Sequence, residues 1–120
     1  MLSAVKTLSL QPFVPSGKDF KRACEFFEEL GFSKNWENSG CAGFSCGDAK
    51  FILQEYDKKE FAENFMLRID VSDLDAWWEE VSKLDLPTKF PGVRINPPKE
   101  FPWGREVNLI DLAGVCWHIG

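Results

Sequence analysis

Apolar positions along this chain follow two rhythms that alternate twice. Residues 7–14 are rich in strand formers and end at Pro15. Ser16 and Asp19 then form a helix-start signal. Ala23, Phe26, Phe27 and Leu30 recur at helical spacing until Gly31 closes the run. Three strand candidates follow, at 32–37, 43–46 and 50–56, separated by Asn38-Ser39-Gly40 and Gly47-Asp48. A polar linker occupies 57–63. The pattern restarts with a strand at 64–71 and a second helix-start signal at Ser72 with Asp75. Leu74, Trp77, Trp78, Val81 and Leu84 then make a helical stripe that ends before Pro87. A proline-rich segment, 90–102, leads into a hairpin with strands at 105–110 and 115–119. Its turn is Asp111-Leu112-Ala113-Gly114, with Asp favoured first and Gly last. Each half therefore reads β-α-β-β-β, with the sixth strand unplaced among the prolines. The expectation is an α+β fold of paired βαβββ modules, about 1–57 and 64–120, forming a curved mixed sheet around a cleft in a single domain.

The strand at 64–71 shows how a cleft arises. Phe65, Leu67 and Ile69 alternate onto one side, suited to packing under a helix, while Met66, Arg68 and Asp70 point to the other. An arginine and an aspartate are costly to bury dry, so that side lines a wet cavity or is a solvated outer face. The run Pro102-Trp103-Gly104-Arg105-Glu106 holds an indole between a proline and a glycine where the last hairpin begins. Two readings of Trp103 stand: a stacking platform for a flat ligand, or a core tryptophan beside a tight turn. Trp77 and Trp78, at helical spacing with Leu74 and Val81, read as core. Glu28-Glu29 and Glu79-Glu80 read as solvated helix faces.

Composition narrows the partners. A chain of 120 residues, 44% hydrophobic and 28% charged, supports one sizeable core. Its net charge of −5 argues against nucleic acid, whose phosphates need clustered Lys and Arg, and suits a cationic partner. No apolar run approaches the ~20 residues of a membrane span. Met1-Leu2-Ser3-Ala4-Val5-Lys6 lacks the long apolar region of a signal peptide, so a cytoplasmic location is the default expectation. The four cysteines, at 24, 41, 46 and 116, form no Cys-x-x-Cys pair, and the chain has one histidine. That set is too poor for a structural zinc site, and the cysteines read as small core residues. Without a second histidine as general base, no catalytic residue is expected.

The βαβββ repeat, the junction from Phe26-Phe27 through Leu30-Gly31-Phe32, and the closing Asp111-x-x-Gly114 hairpin together resemble the glyoxalase/bleomycin-resistance/dioxygenase superfamily. Within it the chain is most similar to the bleomycin-resistance, antibiotic-binding proteins. The similarity rests on Leu30-Gly31-Phe32-Ser33 with Ala42-Gly43, on Leu74-Asp75, and on Pro102-Trp103-Gly104-Arg105-Glu106, and spans Pro12 to Ile119. This resemblance implies a homodimer whose two ligand crevices form at the subunit interface. It also implies that flat rings of a small-molecule ligand, bleomycin-like, stack on protein aromatics while acidic groups meet its cationic tail. By position, Trp103 matches the crevice tryptophan and Trp36 a stacking aromatic of that family. Arg68 and Asp70 stand where relatives carry cavity-facing aromatics, and Cys41 where they often carry a phenylalanine.

The superfamily also contains metal enzymes, which take His, Gln or Glu from the first, fourth, fifth and eighth strands. Here those strands offer Gln11 or Pro12, Gln54, Met66 and His118. Methionine is a poor ligand for hard divalent metals, and three protein ligands are normally needed. The expectation is accordingly no metal and no cofactor. His118 shares a face with Cys116 and reads either as a ligand-contacting group or as a hydrogen-bonded core histidine. Ligand-binding candidates are Trp36, Gln54, Arg68, Asp70, Trp103 and His118. The leading reading is a binding protein that sequesters a planar cationic antibiotic. A metal-dependent superfamily enzyme and a binding module for an unrelated metabolite are the alternatives.

Overall fold

The computed structural model describes residues 4–120. Residues 1–3 of the leader reading above lie outside them. Two sheets are built on one plan. In the first, β1 (Phe13–Pro15) pairs parallel with β4 (Ala49–Gln54), which continues antiparallel to β3 (Cys41–Cys46) and β2 (Ser33–Asn38). In the second, β5 (Met66–Ile69) pairs parallel with β9 (Cys116–Ile119), which is antiparallel to β8 (Gly104–Ile110). The short strands β6 (Arg94–Ile95) and β7 (Lys99–Phe101) both pair antiparallel with β8. The sixth strand is thus two residues long, held between prolines that cannot donate to a ladder.

Each sheet is covered on one face by a helix. α1 (Phe20–Glu29) starts where Asp19 accepts a hydrogen bond from the Arg22 N–H at 3.0 Å. α3 (Leu74–Ser82) starts at Asp73, which accepts from the Ala76 N–H at 3.0 Å. The cap is therefore Asp73 and not the adjacent Ser72, because the carboxylate is the stronger acceptor for the first-turn N–H groups. Two short helices fall where the sequence pattern shows none. α2 (Lys59–Glu63) forms in the polar linker, anchored by buried Ala62, and α4 (Leu86–Lys89) carries Pro87 in its first turn, where a missing N–H costs nothing. The first strand is also shorter than the apolar run 7–14, because only residues from 13 onward find a partner strand in β4.

The core lies between helices and sheets and is largely aromatic. Phe27 of α1 packs against Phe51 at 4.8 Å between ring centres and against Trp117 of the second sheet at 5.5 Å. Phe26 meets Phe90 edge-on at 5.4 Å. One cluster therefore joins both sheets on their helix side. Trp77 and Trp78 are partly buried against it. The closing turn is fixed from inside. Asp111, 3% exposed, accepts from the N–H groups of Ala113, Gly114 and Val115, each at 3.0 Å, and from the Trp117 indole at 2.8 Å. No helix among the described residues is long and apolar enough to cross a membrane.

Candidate functional site

Strand alternation leaves each sheet a second face that no helix covers. On the first sheet this open face carries Trp36, Gly43, Ile52 and Gln54, since Trp36 lies opposite Gly43 and Gly43 opposite Ile52. A bulge decides what Trp36 does. Lys34 pairs with Phe44 and Trp36 with Gly43, so Asn35 is the extra residue in the ladder. Asn35 uses its amide to donate to Ser45 Oγ at 2.9 Å. The Trp36 indole lies flat over Gly43: a Cβ placed there would sit 2.0 Å from Trp36 Nε1. Only glycine admits the ring, which remains 45% exposed on its outer side. Gln54 shares this face at the far end of β4 and is exposed.

The second open face is chemically dense. β5 contributes Met66 and Arg68, β9 contributes Cys116 and His118, and β8 contributes Glu106 and Asn108. Glu106 is the hub. Its carboxylate is 1% exposed and accepts from Trp103 Nε1 at 2.6 Å, from Arg68 Nη1 at 3.4 Å and from His118 Nδ1. Burial alone pushes the Glu106 carboxyl up. The hydrogen bonds from Trp103 and His118, with the His118 and Arg68 charges, outweigh it and hold the group below its ordinary value. Arg68 also donates from Nε to Asp70 at 2.9 Å, so its guanidinium sits between two carboxylates. The Trp103 indole, 66% exposed, stacks on Phe101 at 5.0 Å and 12° from parallel. A buried carboxylate at one end and an aromatic beneath thus fix a flat, solvent-facing ring. Trp103 is not a core residue.

Arg68, Asp70, Trp103 and His118 are brought together around Glu106. Trp36 and Gln54 lie on the other sheet, and within one chain Trp36 does not stack on Trp103. Sequence reasoning missed Glu106 as the hub, Gly43 as the seat of Trp36, and Asn108, whose buried Oδ1 has no partner. The signal for Glu106 was present: it alternates with Val107 and Leu109, so it had to face opposite to them. A cavity of about 610 Å³ lies elsewhere, on the helix side between Phe32, Trp77 and Trp117. Its rim of Asp48, Asp70, Asp73 and Glu80 has no imidazole or cationic side chain. Among the described residues no group of three or more His, Cys, Asp or Glu is placed to hold a metal ion.

This fold recurs in solved structures. A bleomycin-binding protein from bleomycin-producing Streptomyces verticillus, complexed with copper(II)-bleomycin, is 30% identical over 96% of both chains, with a TM-score of 0.79. The chain belongs to the glyoxalase/bleomycin-resistance family. A second bleomycin-binding protein, complexed with bleomycin, matches with a TM-score of 0.80 at 23% identity, over 94% of this chain and 97% of that one. A glyoxalase/bleomycin resistance protein from Catenulispora acidiphila matches at 24% identity and a TM-score of 0.71, over 95% and 97%. No protein-family model and no curated protein matches the sequence itself. The glyoxalase/bleomycin-resistance plan of two βαβββ-like mixed sheets is carried here by a sequence 23–30% identical to these bleomycin-binding proteins.

Proposed function

We propose that the protein sequesters a planar, cationic ligand of bleomycin type, without chemically changing it, in a crevice shared by two copies of the chain. The observation that carries this reading is the Trp103 indole, held flat and solvent-facing by Glu106 and Phe101. Such a ring offers a stacking surface at little entropic cost, because it is already ordered. Trp36, seated on Gly43, offers a second ring from the other sheet. The Arg68 charge is engaged by Asp70 and Glu106, so it does not repel a cation, and the chain's net charge of −5 favours one. The 30% identical relative binds a drug of this class.

A shared crevice accounts for apolar surface that one chain leaves uncovered. Leu8 and Leu10, ahead of β1, are 90% and 88% exposed, and Phe13 and Met66 are exposed on the open faces. A second copy related by a two-fold axis would cover them and bring a Trp36 toward a Trp103. Isothermal titration of the purified chain with bleomycin, paired with sedimentation velocity, tests both parts. Saturable binding of one ligand per chain by a dimer is expected. Absence of binding heat, or only monomer at micromolar concentration, overturns the reading.

A further inference from the structure

On the open face of the second sheet, two sulfurs and one imidazole nitrogen converge. β5 and β9 run parallel with Met66 opposite Cys116 and Arg68 opposite His118. His118 Nε2 lies 3.5 Å from Cys116 Sγ and 3.4 Å from Met66 Sδ. His118 Nδ1 faces Glu106, and a carboxylate only accepts, so Nδ1 carries the ring proton. Nε2 is therefore the ring nitrogen turned toward both sulfurs, with the Cys116 thiol and the Met66 thioether as its two soft neighbours.

We propose that Cys116, His118 and Met66 form a binding site for one soft monovalent metal ion, Cu(I) being the best match. The spacing fits. Metal–sulfur bonds of ~2.3 Å and metal–nitrogen bonds of ~2.0 Å at a tetrahedral angle separate the ligand atoms by about 3.5 Å. Both measured separations lie at that value without rearrangement of the strands. Thiolate with thioether selects Cu(I), while the hard divalent ions of the superfamily's enzymes prefer oxygen. Glu106 supplies the carboxylate that orients a metal-bound histidine through its other nitrogen, and Trp103 and Arg68 hold that carboxylate in turn. Binding replaces the Cys116 S–H bond with a sulfur–metal bond and releases one proton, so affinity rises with pH. Asn108 Oδ1, buried and unpartnered beside His118 across the ladder, can accept from a water in the fourth position. The site involves the protein alone and does not depend on which organic ligand it takes.

The test is an anaerobic titration of the reduced full chain with Cu(I) buffered by a chromogenic chelator, with Zn(II) run in parallel. One equivalent of Cu(I) should be drawn from the chelator, with a new thiolate-to-metal absorption in the near ultraviolet. Cys116→Ser should weaken binding by about a hundredfold, and Met66→Leu, at a side chain exposed enough to leave folding intact, by about tenfold. Cys46→Ser, on an exposed residue of the other sheet, should change nothing. Cu(I) binding that survives both Cys116→Ser and Met66→Leu would place the ion elsewhere and overturn the proposal. So would failure to compete with the chelator, or a single Zn(II) that Cu(I) cannot displace.

Discussion

The two sheets share a topology and a core, yet their open faces have little in common. Both begin with a short strand paired parallel to the last one, and both bury Phe, Leu, Val or Trp beneath the helices. On the open side the first sheet offers a bare surface, an indole on a glycine flanked by Ile52 and Gln54. The second offers a buried carboxylate with an imidazole, a guanidinium, a thiol and an indole gathered around it. Packing constrains the helix side, where any change in volume is felt, and leaves the open side free to acquire chemistry. The repeated plan is therefore visible in hydrophobic spacing and hardly at all in residue identity.

The hairpin turns sharpen that contrast and give the largest expected effect. Gly47-Asp48 closes the first sheet's β3–β4 hairpin with Asp48 exposed to solvent. The equivalent turn of the second sheet is organised by Asp111, buried and accepting four N–H groups. Removing that carboxylate leaves buried donors unpaired, each at about 1–3 kcal/mol. Asp111→Ala should therefore destabilise the protein by about 3 kcal/mol or more in urea unfolding. Asp48→Ala should stay within about 0.5 kcal/mol. Comparable losses from the two substitutions would show that the turns are held alike.

What was legible in the sequence follows the same division. The helices could be read because their signals are local: Asp19 caps within its own first turn, and Phe26, Phe27 and Leu30 repeat at the helical period. The alternation of Leu67 and Ile69 against Met66 and Arg68 likewise separated core from open face. Features that depend on a partner strand could not be read. Nothing near Asn35 announces a bulge, and the orientation of Trp36 is decided by the absence of a Cβ at Gly43 across the ladder. Likewise, Glu106 meets His118 only because β8 and β9 pair in one particular register. The cap at Asp73 instead of Ser72 was a choice between adjacent acceptors that spacing alone does not make.

The indoles allow the two faces to be compared directly in binding. Trp103→Ala removes an ordered ring and should weaken bleomycin binding by at least tenfold, about 1.4 kcal/mol or more, while the protein stays folded. Ligand-induced quenching of tryptophan fluorescence should shrink in the same variant. On the first sheet, Gly43→Ala leaves Trp36 in place chemically but drives its ring off the sheet, costing about 1 kcal/mol in affinity. If Trp103→Ala unfolds the protein without an intermediate loss of binding, the indole is structural and the two faces do not differ in this respect.

The smallest effect is in acid, and only the second sheet should show it. Glu106 is held below its ordinary value in the folded protein by Trp103 and His118 acting against burial. Its unfolded counterpart titrates near ~4.3. Between these two values the unfolded chain binds the proton and the folded chain does not, so stability falls as pH falls. The contribution is fully present above the unfolded value and is lost as pH falls from there through the lower folded value. Asp111, pushed up to about 6 by burial, adds a slope of opposite sign between that value and its unfolded ~3.9, but the slope is common to wild type and Glu106→Gln and cancels in their difference. Glu106→Gln cannot titrate and should cost about 1 kcal/mol at neutral pH through its weaker hydrogen bonds. Measured by urea unfolding from pH 6 to pH 3, the two proteins should converge as the wild type protonates Glu106. Parallel curves across that interval would mean that the carboxylate is not held in its charged form, and that the second face differs from the first in shape alone.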